Sequence, residues 1–123
     1  IATPLAVMLG KCDTWRHLLG DAPLEPAIRE GKIDQAAINR NSNRLRSLLC
    51  EVCPAVVANA EAISSDVMFF AISPLGCSPV VFVDAAGIRK VGPDPSRIAP
   101  IDVEVPTLWC LSRLVPSLFP TLD

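Results

Sequence analysis

The sequence predicts an α+β fold in which N-terminal helices pack on an antiparallel sheet of three or more strands, followed by a short C-terminal helix. The 123 residues, half of them apolar, suit a single domain over 1–123 with one core. Residues 31–53 repeat apolar side chains at helical spacing. Residues 67–83 form an apolar stretch interrupted by prolines, which indicates strands.

The long N-terminal helix has a recognisable start and end. Its apolar residues recur at spacings of three, four and seven, which places them on one face: Ile38, Leu45, Leu48, Leu49 and Val52. Asp34 is a good N-cap, and Ile33 before it can pack on Ile38. Pro54 ends this helix and suits the first position of a second one, over Pro54–Ile63.

The apolar stretch 67–83 has 17 residues without a charge, just short of a membrane-spanning helix. Its centre holds residues that break helices: Pro74, Gly76 and Pro79. The flanks are rich in β-branched and aromatic residues, and they predict a hairpin of two buried strands, Val67–Ile72 and Val80–Val83. We therefore expect no membrane association.

A third strand is predicted after this hairpin. Asp84 to Gly87 is a turn sequence in which Gly87 can adopt a positive φ. Residues Ile88–Val91 then alternate apolar and basic side chains, as a half-exposed strand does. The predicted antiparallel sheet depends on these three strands.

Two shorter helices are predicted near the chain ends. Residues Thr14–Leu19 suit a short helix that ends at Gly20. The C-terminal helix, Thr107–Val115, places four apolar residues on one face: Leu108, Leu111, Leu114 and Val115. We expect this face to dock on the sheet of the same chain; the alternative is a contact with a second copy or a partner subunit.

The charge balance argues against nucleic-acid binding. Eleven basic and 13 acidic residues give a net charge of −2, so no global positive field attracts phosphate backbones. The densest basic run, Asn39–Arg46, contains three arginines but no aromatic residue to stack on bases. We therefore interpret it as a solvated helix face.

The cysteine count favours a reducing, cytoplasmic environment. The five cysteines are an odd number, and the apolar composition removes the need for disulfides: Cys12, Cys50, Cys53, Cys77 and Cys110. The Cys50–Cys53 spacing is half of a zinc site, and its predicted place at a helix C-terminus disfavours a thiolate. The sequence thus predicts buried structural cysteines, with no metal and no cofactor.

Few residues offer catalytic chemistry. His17 is the only histidine, and it lies five residues after Cys12, a spacing that does not align two side chains on one helix face. The acids Asp84, Asp94 and Asp102 fall at strand ends or in a proline-rich loop, where aspartate commonly forms local turns. The sequence leaves catalysis open and favours a non-catalytic protein.

The function that these features favour is a regulatory or sensory module that binds a small ligand or a partner subunit. Its candidate ligand-binding residues are Trp15, His17, Asp84 and Arg89, which supply aromatic and polar groups to a pocket. One alternative is a thiol or metal protein that uses the Cys50–Cys53 pair. Another is a structural interaction subunit that forms a homo-oligomer or joins a partner through the C-terminal helix.

Overall fold

The computed structural model describes residues 2–122. This part of the chain has four α-helices: α1 (Cys12–Trp15), α2 (Gln35–Val52), α3 (Pro54–Ile63) and α4 (Val105–Leu114). Its six strands form three sheets of two strands each: β1 (Leu5–Leu9) with β4 (Val67–Ala71), β2 (Ile28–Arg29) with β3 (Lys32–Ile33), and β5 (Val80–Val83) with β6 (Arg89–Gly92). None of these helices combines the length and the apolar character that crossing a lipid bilayer demands.

The central sheet is a parallel pair. β1 and β4 run side by side from Leu5 opposite Val67 to Leu9 opposite Ala71, and the connection between them contains α2 and α3. Parallel strands require such a long crossover because the chain must return to the same end of the sheet. Both strands therefore end at the same edge.

Side chains of β4 alternate between two apolar clusters. Phe69 and Ala71 pack with residues of α1, α2 and α3, whereas Phe70 packs with residues of α4. The rings of Phe70 and Trp109 lie 5.7 Å apart at an angle of 56°. Helices therefore cover both faces of the parallel pair, which is why β4 is apolar on both sides.

The sequence predicts α2 and α3 correctly. The Asp34 carboxylate accepts a hydrogen bond from the Ala37 N–H (3.0 Å), and Ile33 and Ile38 lie in one apolar cluster. Helix α3 begins at Pro54, whose missing N–H costs nothing at a first helical position. These signals are local and need no knowledge of the fold.

The predicted antiparallel sheet of three or more strands is wrong, because every sheet in residues 2–122 has two strands. Two extended segments do lie near Val67–Ile72 and Val80–Val83, but they do not pair with each other. The first pairs with β1. The second pairs with β6 across the turn at Asp84 to Gly87, where Gly87 has a φ of +79°.

The C-terminal helix packs on β1 of the same chain, as expected, but through a different face. Its buried residues are Val105, Pro106, Trp109 and Ser112. The predicted apolar face remains largely exposed, with Leu111 40% and Leu114 60% accessible. The indole of Trp109 offers more apolar area than a leucine, and its burial determines how the helix is rotated.

Candidate functional site

A cleft of about 620 Å³ lies beside the carboxyl ends of β1 and β4. Three segments line it: α1 with the 3₁₀ turn Arg16–Leu19, the loop 20–26, and the pair Ile101–Asp102. The carboxyl end of parallel strands is the usual place for a ligand in α/β structures, since the loops that leave the strands diverge there. The cleft is therefore the candidate functional site.

The first wall is anchored to both parallel strands. After β1 the chain turns at Lys11, which has a left-handed φ of 55°, and the Cys12 N–H donates to the Ile72 carbonyl (3.0 Å). The Trp15 Nε1–H donates to the Gly10 carbonyl (2.7 Å). Because the chain beyond α1 forms a 3₁₀ turn that ends at Gly20 (φ 93°), Arg16 and His17 face the cleft. The observed helix and turn cover the predicted short helix at Thr14–Leu19.

A buried serine joins this wall to the opposite one. The Ser73 hydroxyl donates to the Asp13 carboxylate (2.6 Å) and accepts from the Gly76 N–H (3.0 Å). The Ser73 backbone exchanges two hydrogen bonds with Ile101, at 3.0 and 2.8 Å. These bonds fix Asp102, the residue after Ile101, at the edge of the cleft.

The third wall depends on arginines of α2. The Arg44 guanidinium donates to the carbonyls of Leu19, Ala22 and Pro23, at 3.0, 2.6 and 3.0 Å. The Arg40 guanidinium binds both carboxylate oxygens of Glu25, at 2.6 and 2.8 Å. The basic run is thus not merely a solvated face, since these two arginines hold the loop that closes the cleft.

The polar groups of the cleft differ in what they already bind. Asp13 accepts from Ser73, and Glu25 binds Arg40. Within residues 2–122, no hydrogen bond or ion pair engages the side chains of four cleft residues: Arg16, His17, Asp21 and Asp102. These four side chains are available to a ligand.

Burial shifts the pKa of two of the groups. It raises the pKa of the Asp102 carboxyl, and the neighbouring charge of Glu104 raises it further. Burial also raises the pKa of the Cys12 thiol, followed by the charge of Asp13, while Arg16 acts in the opposite direction. Cys12 is 1% exposed, so it is a protonated core residue rather than a nucleophile.

The four predicted ligand-binding residues do not form one site. His17 lines the cleft, whereas Trp15 is half-buried and packs against the core. Asp84 and Arg89 belong to the β5–β6 ribbon. Asp84 accepts from the N–H groups of Ala86 and Ile88, both at 2.9 Å, and pairs with the Lys90 ammonium (3.0 Å). That geometry makes Asp84 a turn residue.

Arg16, Asp21 and Asp102 are the available cleft residues that the sequence does not single out for ligand binding. Arg16 belongs to the predicted short helix, but the sequence does not show which side of that helix faces a cavity. Asp102 follows a proline-rich segment that is expected to be a surface loop. Asp102 could have been identified only from the pairing of Ser73 with Ile101, and no local sequence pattern encodes that contact.

The cysteines are free in the described chain. Cys53 caps the end of α2 as predicted, and it precedes the first residue of α3. The predicted burial of Cys50 and Cys53 is wrong, because both are exposed at this junction between two helices. Among residues 2–122, no group of three or more histidine, cysteine or acidic side chains is arranged to hold a metal ion.

Comparison with protein families, with curated proteins and with solved structures finds no match to this chain. Function is therefore inferred from the geometry and chemistry of the cleft.

Proposed function

We propose that this chain is a non-catalytic regulatory module that binds a small ligand in the cleft beside the carboxyl ends of β1 and β4. The position of that cleft carries the proposal, because its walls come from segments that the fold holds in place. Its volume of about 620 Å³ lies within the range of small-molecule sites. The lining combines apolar side chains with six charged or titratable ones: Asp13, Arg16, His17, Asp21, Glu25 and Asp102.

The available charges suggest a zwitterionic metabolite. Asp102 can accept a hydrogen bond from an ammonium group, and Arg16 can bind a carboxylate through its planar guanidinium. The apolar wall, which includes Leu19, Leu24 and Ile101, would cover the body of the ligand. Amino acids and related molecules combine these features.

The cysteine chemistry favours binding over catalysis. Catalysis by a cysteine nucleophile would need a thiolate near His17, and the cleft's own cysteine, Cys12, is buried with a raised pKa. The five free cysteines suit a reducing compartment, so we place the module in the cytoplasm.

Thermal unfolding with a panel of amino acids and related zwitterions tests the proposal. A ligand present at 100 times its Kd should raise the Tm by about 5–15 °C. We expect Arg16→Gln and Asp102→Asn to lose most of this shift. Arg89→Gln is the matched control, because Arg89 is exposed on the ribbon and does not line the cleft.

For each variant, the Tm with ligand is compared with the Tm without ligand. This comparison removes the effect of the substitution itself on stability. If no member of the panel raises the Tm, or if Arg89→Gln removes the shift while Arg16→Gln keeps it, the cleft is not the binding site.

Titration of free thiols and metal analysis of the purified protein test the alternative function of Cys50 and Cys53. Bound metal, or fewer than five free thiols, would support that alternative.

A further inference from the structure

The ribbon of β5 and β6 exposes an apolar surface that the other residues of 2–122 do not cover. Val81, Val83 and Val91 are 56%, 63% and 68% accessible. No residue of either strand belongs to the two core clusters. An isolated two-stranded ribbon is only marginally stable in water. Contact with a partner would therefore stabilise this ribbon more than it would stabilise the packed part of the molecule.

The outer edge of β5 offers unpaired backbone groups. The Asp84 N–H donates to the Ile88 carbonyl (3.0 Å), and in the observed register the hydrogen-bonded positions alternate along the strand. Phe82 therefore bonds toward β6, whereas the N–H and C=O groups of Val81 and Val83 point outward. No hydrogen bond within residues 2–122 satisfies these outward groups.

Charge distinguishes the two edges of the ribbon. Strand β5 has no charged residue, whereas β6 begins with Arg89 and Lys90. Antiparallel pairing of β6 with a second β6 would place two lysines about 5 Å apart, and basic residues on an edge strand oppose such pairing. The edge that accepts another strand is thus β5, and the complementary strand is uncharged and apolar.

We propose that β5 pairs antiparallel with β5 of a second copy of this chain, around a twofold axis at Phe82. Val81 then lies opposite Val83 of the second copy, and each such pair exchanges both of its backbone hydrogen bonds. The exposed rings of the two Phe82 residues meet as a cross-strand pair.

Charges do not oppose this arrangement. The two Lys90 residues lie three strand spacings apart, about 14 Å. That exceeds the Debye length of about 8 Å at physiological ionic strength. Each Lys90 also retains its own Asp84 partner at 3.0 Å. The proposal does not depend on the ligand-binding cleft, so either can fail alone.

Sedimentation equilibrium of the full chain, from micromolar to millimolar concentration, tests the pairing with two matched variants. Val81 and Val91 face each other in the same ribbon, but on opposite edges. Val81→Lys places one cation from each copy in the interface, so we expect the dimer Kd to rise by about 100-fold or more. Val91→Lys changes an outer position, and its Kd should stay within about twofold of the parent value.

Amide hydrogen exchange gives a readout that requires no variant. The Val81 and Val83 amides should exchange more slowly as the protein concentration rises. The outward amides of Arg89 and Val91 should not change. A chain that stays monomeric at millimolar concentration overturns the proposal. A dimer that both variants weaken equally, or one in which the Val81 and Val83 amides keep their rates, also overturns it.

Discussion

Aspartates of similar sequence context have different roles in this protein. The turn roles predicted for Asp84 and Asp94 are confirmed, because Asp84 accepts from Ile88 N–H (2.9 Å) and Asp94 from Ser96 N–H (3.0 Å). The hydrogen bond from Ile88 lowers the pKa of the Asp84 carboxyl, and the Ser96 hydroxyl lowers the pKa of Asp94. Asp102 also lies in a turn, where its carbonyl accepts from the Val105 N–H (3.2 Å), but its carboxyl makes no local hydrogen bond, and burial raises its pKa. Burial, which sequence does not reveal, distinguishes the cleft residue.

The absence of a side chain at Gly76 also shapes the cleft. The φ of Gly76 is +67°, and a Cβ at this position would overlap the carbonyl oxygen of Ala99. The backbone there is held by the hydrogen bond from Ala99 N–H to the Leu75 carbonyl (2.9 Å). Only glycine therefore lets the loop after β4 approach the segment that leads to Asp102.

We expect Gly76→Ala to destabilise the protein more than Gly87→Ala does. Both glycines have positive φ, so each substitution costs about 1–2 kcal/mol of backbone strain. A methyl group added at Gly87 would meet open space, whereas one added at Gly76 causes a steric overlap worth about 1–3 kcal/mol. Urea unfolding of the two variants measures the difference. Equal losses would contradict the close approach of Gly76 to Ala99.

At the level of secondary-structure elements, helix α2 rather than a third strand covers the free edge of β4. The Ser42 hydroxyl of α2 accepts a hydrogen bond from the Phe69 N–H (2.9 Å), and both residues are buried. A buried N–H without a partner would cost about 1–3 kcal/mol. The serine allows the central sheet to end at two strands, since it supplies an acceptor that a third strand would otherwise provide.

We expect Ser42→Ala to lower the free energy of unfolding by about 1–3 kcal/mol, because it leaves the Phe69 N–H unpaired. Ser47→Ala is the matched control, since Ser47 is exposed on the same helix and gains the same helix propensity. Urea unfolding compares the two variants with the parent. If both change stability equally, the Ser42 hydroxyl does not hold the edge of β4.

The sequence predicts elements with local signals better than it predicts their partners. Helices α2 and α3 follow from Asp34 and Pro54, which act within a few residues of their own positions. The partner of β4 is β1, a strand from the other end of a long crossover, and no turn sequence connects the two. The run from Val67 to Ile72 is apolar without alternation, which is typical of a parallel strand buried on both faces. That pattern argues against the hairpin.

At the scale of the whole molecule, the same reasoning explains why the sequence predicts the cleft only in part. Its lining comes from residues near 12–26 and 101–102, which meet only after β1 and β4 have paired. His17 is a candidate because it is the single histidine, and the sequence does not identify its neighbours in space. A site that depends on long-range pairing leaves little trace in local sequence.

The molecule also divides into a packed region and a ribbon of lower stability. Strands β1 and β4 lie between helices, whereas β5 and β6 contribute no buried residue. Opening the ribbon exposes little additional apolar surface, so it should not require unfolding of the core. We expect amides of β4 to exchange only through global unfolding, and amides of the β5–β6 pair to exchange through local opening.

Native-state hydrogen exchange in low urea checks this difference, using the Val81→Lys variant so that pairing between copies does not protect the ribbon. The opening free energy at Phe70 should fall with urea as steeply as that of global unfolding, because its opening exposes the core. The value at Phe82, whose N–H bonds within the ribbon, should be smaller and nearly independent of urea. Similar urea dependence at Phe70 and Phe82 would instead mean that ribbon and core unfold as one unit, through contacts that burial alone does not reveal.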